Sequence, residues 1–214
     1  MASTYYTQHS FDFLEIINEL ELPYKKYQPL KPLKTGQSIP GFTLKKDFNN
    51  WRQFFNGSQV QGPVVLRQLL NKPLVISFYS SHWGESGTIR LKQLNAIQHE
   101  IRAAGANLLI ITPDDESKAF ENMIWDNSLS LSFYYDEDNA IAQKLKLFSE
   151  VSPVWNTYSG IDVNVPLLAT YVLDTNNQIL YDEVDYELNG NVSPSQILDA
   201  LHASSLYQTT RKSA

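Results

Sequence analysis

Cysteine is absent from all 214 residues. Without a thiol there is no disulfide, no thiolate nucleophile and no thiolate metal ligand, and the redox state of the compartment leaves no mark on the chain. Long apolar runs are absent too. No stretch approaches a bilayer span, and Asp12, Glu15 and Glu19 interrupt residues 1–20 where a secretory signal needs an apolar core. A soluble, cytoplasmic chain with no membrane contact is the expectation. Nor is there a basic stripe: 17 Lys and Arg stand against 23 Asp and Glu, for a formal charge of −6, and the cations are scattered. That argues against nucleic acid as a partner. His9, His82, His99 and His202 show no ligand spacing, so no metal is expected, and nothing in the pattern calls for another cofactor. Glycine is sparse, nine in all, yet Gly84 and Gly87 fall three apart in a single turn.

What is present is an alternation of strand and helix signals. FDFLEIINELEL places Phe11, Leu14, Ile17 and Leu20 on one face of a short helix, opened by Asp12 and Glu15 as a capping box and ended by Pro23. Pro23, Pro29, Pro32 and Pro40 then impose an extended connector. Residues 1–32 are therefore read as an N-terminal helix and Pro-rich connector, 33–206 as the main domain and 207–214 as a flexible tail. Gly41–Leu44 is a short edge strand, 45–62 has no clear pattern, and Val64–Leu70 is a short helix or turn. Leu74–Tyr79 is a buried strand that feeds, through the turn Ser80–Thr88, a helix stopped by Gly105, and Asn107–Thr112 is a second buried strand. This is a βαβ unit, hence parallel and right-handed.

A helix is expected over Asp115–Asn127, a strand over Leu131–Tyr135, a helix over Asp138–Phe148 and a long connection over Ser149–Val165. Leu168–Leu173 and Gln178–Val184 form a hairpin around Asn176-Asn177. Ser193 and Pro194 open a last helix with Ile197, Leu198 and Leu201 on one side, and the chain after Ser204 is polar and loose. A βαβ unit followed by a ββα ending is an α/β, thioredoxin-like mixed sheet flanked by helices.

From about Leu33 to Leu201 the sequence resembles the AhpC/TSA or redoxin group, in its peroxiredoxin-like branch. The resemblance rests on GQSIPGFTL at 36–44, PLVISFY at 73–79, HWGESG at 82–87, GANLLIITP at 105–113, ATYVLD at 169–174, DEVDYE at 182–187 and SPSQILDAL at 193–201. It implies a thioredoxin-type fold, association into a homodimer, and chemistry in a turn of the form Trp-Cys-x-x-Cys or Thr-x-x-Cys. Carried onto this chain, Trp83 matches the tryptophan, while Gly84 and Gly87 fall on the two cysteine positions. Relatives also carry a proline or arginine just before the later strand; here Leu168 stands there, with Pro166 two residues earlier. The resemblance implies the scaffold and argues against the reaction.

The strand-to-helix turn still presents amides and the positive end of a helix dipole. His82, Trp83, Glu85, Ser86, Thr88, Trp155 and Leu168, with Tyr158 and Pro166, are expected to form a recognition surface for a protein or small ligand. On that reading a bulky Gly87→Trp change alters the surface at little cost in stability. His82 and Glu85 offer an acid/base pair flanking the turn, but are read first as partly solvated loop residues. Gly84-Glu85-Ser86 begins like the Gly-x-Ser-x-Gly nucleophile elbow, and His202 follows in hydrolase order, but Thr88 stands where the elbow needs a small residue. Ser86 is read first as a helix-opening residue. Three roles are carried forward: a non-catalytic binding or assembly module, a chain acting with a cysteine-bearing redox partner, and a serine hydrolase at Ser86.

Overall fold

The structure is a computed structural model that describes residues 29–45, 54–55, 58–59, 63–113 and 117–212, with 54–55, 58–59, 117, 156 and 205–212 described as backbone. The helix expected over residues 11–22 lies outside them. Five strands form the central sheet: β5 (Leu74–Phe78), β6 (Asn107–Pro113), β7 (Phe133–Asp136), β8 (Ala169–Leu173) and β9 (Ile179–Val184), in the order β7-β6-β5-β8-β9. The first three run parallel, and β8 and β9 are antiparallel to their neighbours. β5 and β8 are buried along their whole length, as their unbroken apolar and β-branched runs require of strands covered on both faces. The mixed α/β sheet read from the sequence is the observed one.

Helices cover both faces. Val75, Ile110 and Val172 pack beneath α2 (Gly84–Ala96), α3 (Gln98–Ala103), α4 (Ser117–Asp126) and α6 (Pro194–Lys212), with Leu91, Leu94, Ile101, Phe120, Ile197 and Leu201 in that layer. On the other face Ile76, Phe78, Leu109 and Tyr171 meet α1 (Leu66–Leu69), α5 (Ala140–Lys144) and the segment from Leu33 to Leu44. Two short ladders stand apart from the sheet: β1 (Thr43–Leu44) with β4 (Val64–Val65), and β2 (Phe54–Phe55) with β3 (Ser58–Gln59). The expected edge strand at 41–44 thus pairs with β4 and not with the sheet.

Three helix expectations are corrected. The helix from the turn to Gly105 divides at Ile97 (φ −96°, ψ 6°), where the Asn95 side chain is drawn off to accept from Ser130 N at 2.8 Å and from Gln98 Nε2 at 3.2 Å. The helix expected over 138–148 contracts to α5, because Asp138 and Asn139 adopt left-handed φ of 54° and 53° and Lys146 turns out at 60°. The Asp136 carboxylate caps it, accepting from Ile141 N and Ala142 N at 2.9 Å. At the other end of the chain α6 continues to Lys212, since no glycine or proline interrupts 195–212 and serine and threonine reduce helix propensity only slightly. The hairpin is as expected: Asn177 takes φ 70°, and Asp174 Oδ1 accepts from Asn176 N and Gln178 N at 2.8 Å each.

Candidate functional site

β5 delivers the chain to the turn in a fixed direction. Ser77 is buried at the β5–β8 junction, with its hydroxyl 3.0 Å from Thr170 Oγ1. Beyond Tyr79, Ser80 Oγ accepts from His82 N at 3.2 Å and Ser80 O accepts from Trp83 N at 3.2 Å, winding Ser81–Trp83 into one turn of 3-10 helix. Gly84 follows at φ 55°, ψ −125°, a conformation open to glycine and strained for a residue with a side chain. It redirects the chain into α2. The Trp83 ring points inward, 5% exposed, donates Nε1–H to Pro166 O at 2.8 Å and meets Tyr158 edge-on at 5.3 Å. The connection over 149–165 is thereby tied to the turn from below.

Gly87, one turn into α2, has no room for a side chain. A Cβ built there would lie 2.8 Å from Tyr79 Cε2, 3.1 Å from Tyr79 Cδ2 and 3.4 Å from Ser80 O. Contacts that short do not occur between unbonded carbons, so the Tyr79 ring holds the space that a residue at 87 would need.

The loop after β9, residues 185–192, closes over the same turn. Gly190, at φ 72°, lies against Ser86: a Cβ at 190 would come within 2.2 Å of Ser86 O. Ser86 Oγ donates to Leu188 O. The Asp185 carboxylate holds the loop in shape, accepting from Gly190 N at 2.7 Å and from Asn189 N at 3.3 Å. Arg90 anchors it from beneath, fully buried, donating from Nη1 to Thr170 Oγ1 at 3.0 Å and from Nη2 to Asn191 O at 2.8 Å. Asp185 at 3.7 Å and Glu183 at 3.8 Å balance its charge. Burial pulls Arg90 below the usual guanidinium range, and those two carboxylates act against the shift. Gln93 completes the clamp, accepting from Val192 N at 2.8 Å.

The residues expected at the site divide in two. Trp83, Gly87, Tyr158, Pro166 and Leu168 are buried; His82, Glu85 and Trp155 are exposed, and Ser86 and Thr88 are half-buried. The Gly87→Trp expectation is overturned, because residue 87 faces the Tyr79 ring and not solvent. Ser86 sits in the first turn of α2 with its proton engaged on a carbonyl, and Thr88 Oγ1 donates to Gly84 O at 3.1 Å. Arg90, Tyr79, Asp185 and Gly190 were not singled out from the sequence. One signal was there: Gly87, Arg90, Leu91 and Leu94 share the buried stripe of α2, and a charge on that stripe requires a buried partner, which the carboxylates of DEVDYE supply. Among the described residues no group of three His, Asp or Glu is placed to hold a metal ion, and no helix is long and apolar enough to cross a membrane.

Residues 35–182 match the model of the AhpC/TSA family. A Helicobacter pylori (strain J99) protein named as a bcp peroxiredoxin is 23% identical over 172 residues, 80% of this chain and 100% of that protein. Among solved structures, peroxidoxin BcpB of Mycobacterium tuberculosis superposes with a TM-score of 0.57 at 18% identity, over 80% of this chain and 97% of that one. A 2-Cys peroxiredoxin of Plasmodium vivax in its reduced form gives 0.58 at 17% identity, over 83% and 85%. At these identities the superpositions speak for the fold alone.

Proposed function

The chain belongs to the AhpC/TSA family, and from that premise we propose that it is a non-catalytic member, working as a binding or assembly module. The observation that carries the reading is the pairing of a cysteine-free sequence with a Gly87 whose missing side chain is replaced in space by the Tyr79 ring. The sulfur is gone, and at position 87 a side chain would have to displace the Tyr79 ring. Serine and threonine hydroxyls offer no counterpart to the thiol–sulfenic acid cycle, and those of Ser86 and Thr88 are spent on backbone carbonyls.

A binding role falls to the side chains that the turn still shows to solvent. His82 and Glu85 project from it, Trp155 keeps 43% of its surface exposed, and Tyr186 at the start of the covering loop keeps 51%. Exposed aromatics are enriched in protein contact patches, with polar groups at the rim. The test is affinity capture with the wild-type chain and with a Glu85→Arg/Trp155→Ala variant, followed by identification of the bound proteins. A partner held by the first and released by the second supports the reading; equal capture by both contradicts it. Sedimentation equilibrium of the purified chain tests the homodimer.

A further inference from the structure

A cleft of about 470 Å³ opens at the carboxyl end of β7, between the β1–β4 ladder and α5, and plays no part in the turn after β5. Phe42, Leu66 and Ile141 form its apolar floor. Its rim is cationic: Lys45, Arg67 and Lys144 all line it, in a chain whose formal charge is −6. Two carboxylates also line it, and both are committed. Asp136 is 2% exposed and accepts from the first amides of α5, while Glu137 is paired with Lys45. Lys144 uses one donor on Gly41 O at 2.7 Å and keeps others; Arg67 is exposed and has no charge partner among the described residues. The cleft therefore shows net positive charge at its rim and apolar surface within.

We propose that this cleft binds a small amphipathic carboxylate, its apolar body on Phe42, Leu66 and Ile141 and its carboxylate on Arg67 and Lys144. The volume lies in the range of small-molecule sites, and a planar guanidinium with five donors matches a carboxylate in two-point geometry. A cationic ligand is disfavoured by the same rim, and a neutral one leaves Arg67 without a function there.

The probe is decanoate, titrated calorimetrically into the full chain, with decanol as the uncharged comparison and two variants. Arg67→Ala removes the guanidinium, and Ala140→Trp narrows the mouth from an exposed position on α5. Decanoate is expected to bind, to lose at least five-fold in affinity in Arg67→Ala and to lose measurable binding in Ala140→Trp, while decanol binds more weakly and is indifferent to Arg67. Absence of decanoate binding, or binding that keeps its strength in either variant, overturns the proposal.

Discussion

Parallel strands β5 and β7 end on the same side of the sheet, yet the segments beyond them are opposite in character. After β5 the chain is closed: Trp83 turns inward onto Pro166, the Tyr79 ring fills the space beside Gly87, and the loop 185–192 lies on Ser86. After β7 it is open, with a cleft whose cations outnumber the carboxylates left to meet them. At residue 87, where the resemblance places a cysteine, the Tyr79 ring takes the space, while His82 and Glu85 on the same turn stay exposed. Substitutions should reflect this, costing much at the closed end and little at the open one.

The largest effect is expected at Arg90. Replacing it by leucine leaves Asp185, 4% exposed on its side chain, without an opposing charge and takes the guanidinium donors from Thr170 Oγ1 and Asn191 O. Breaking a buried ion pair from one side costs about 3–5 kcal/mol, so the chemical denaturation midpoint should fall sharply and amide exchange over 185–192 should accelerate. Denaturation unchanged in Arg90→Leu would mean that the loop is held by something else. Next comes Gly87→Cys, where the new side chain must displace the Tyr79 ring; overpacking of this kind costs about 1–3 kcal/mol, read as a lowered melting temperature.

The fold was largely legible because its signals are local. The apolar runs at 74–79, 107–112 and 168–173 and the proline at 194 mark strands and a helix start without knowledge of their neighbours. Helix limits were missed where no glycine or proline marks them, as at the Ile97 break, beside which Asn95 Oδ1 accepts from Ser130 N. At the site, Gly84 and Gly87 could be picked out by spacing, but their meaning could not: one is set by backbone angle and the other by an aromatic ring eight residues upstream of it. Nothing in the sequence around Ser86 shows that Gly190, over a hundred residues later, will lie on its carbonyl.

Two smaller effects sharpen the contrast. Burial pushes the Asp182 carboxyl up, but hydrogen bonds from Lys34 and from Thr35 outweigh it and leave the group below the usual carboxylate range. A depressed folded value contributes stability above the unfolded value, about 4, and that contribution is lost as pH falls through the folded one. Asp182→Asn should therefore cost a little at pH 7, under about 1 kcal/mol because Lys34 is solvated, and nothing once both forms are protonated in acid. Paired melting curves at the two pH values check it. The smallest shift is expected at the open end, where Ala140→Trp, at an exposed position, should change stability by no more than about 0.5 kcal/mol. A large loss there would show that the cleft is part of the packing after all.

The most direct measurement is hydroperoxide consumption in the presence of a thiol reductant, by the wild-type chain and by Gly87→Cys. Both are predicted to match the protein-free rate, the first for want of sulfur and the second because a Cβ at 87 already meets the Tyr79 ring at 2.8 Å. Turnover by the wild type would contradict the non-catalytic reading; turnover by Gly87→Cys alone would contradict the claim that the turn has lost its capacity for the chemistry along with the cysteine.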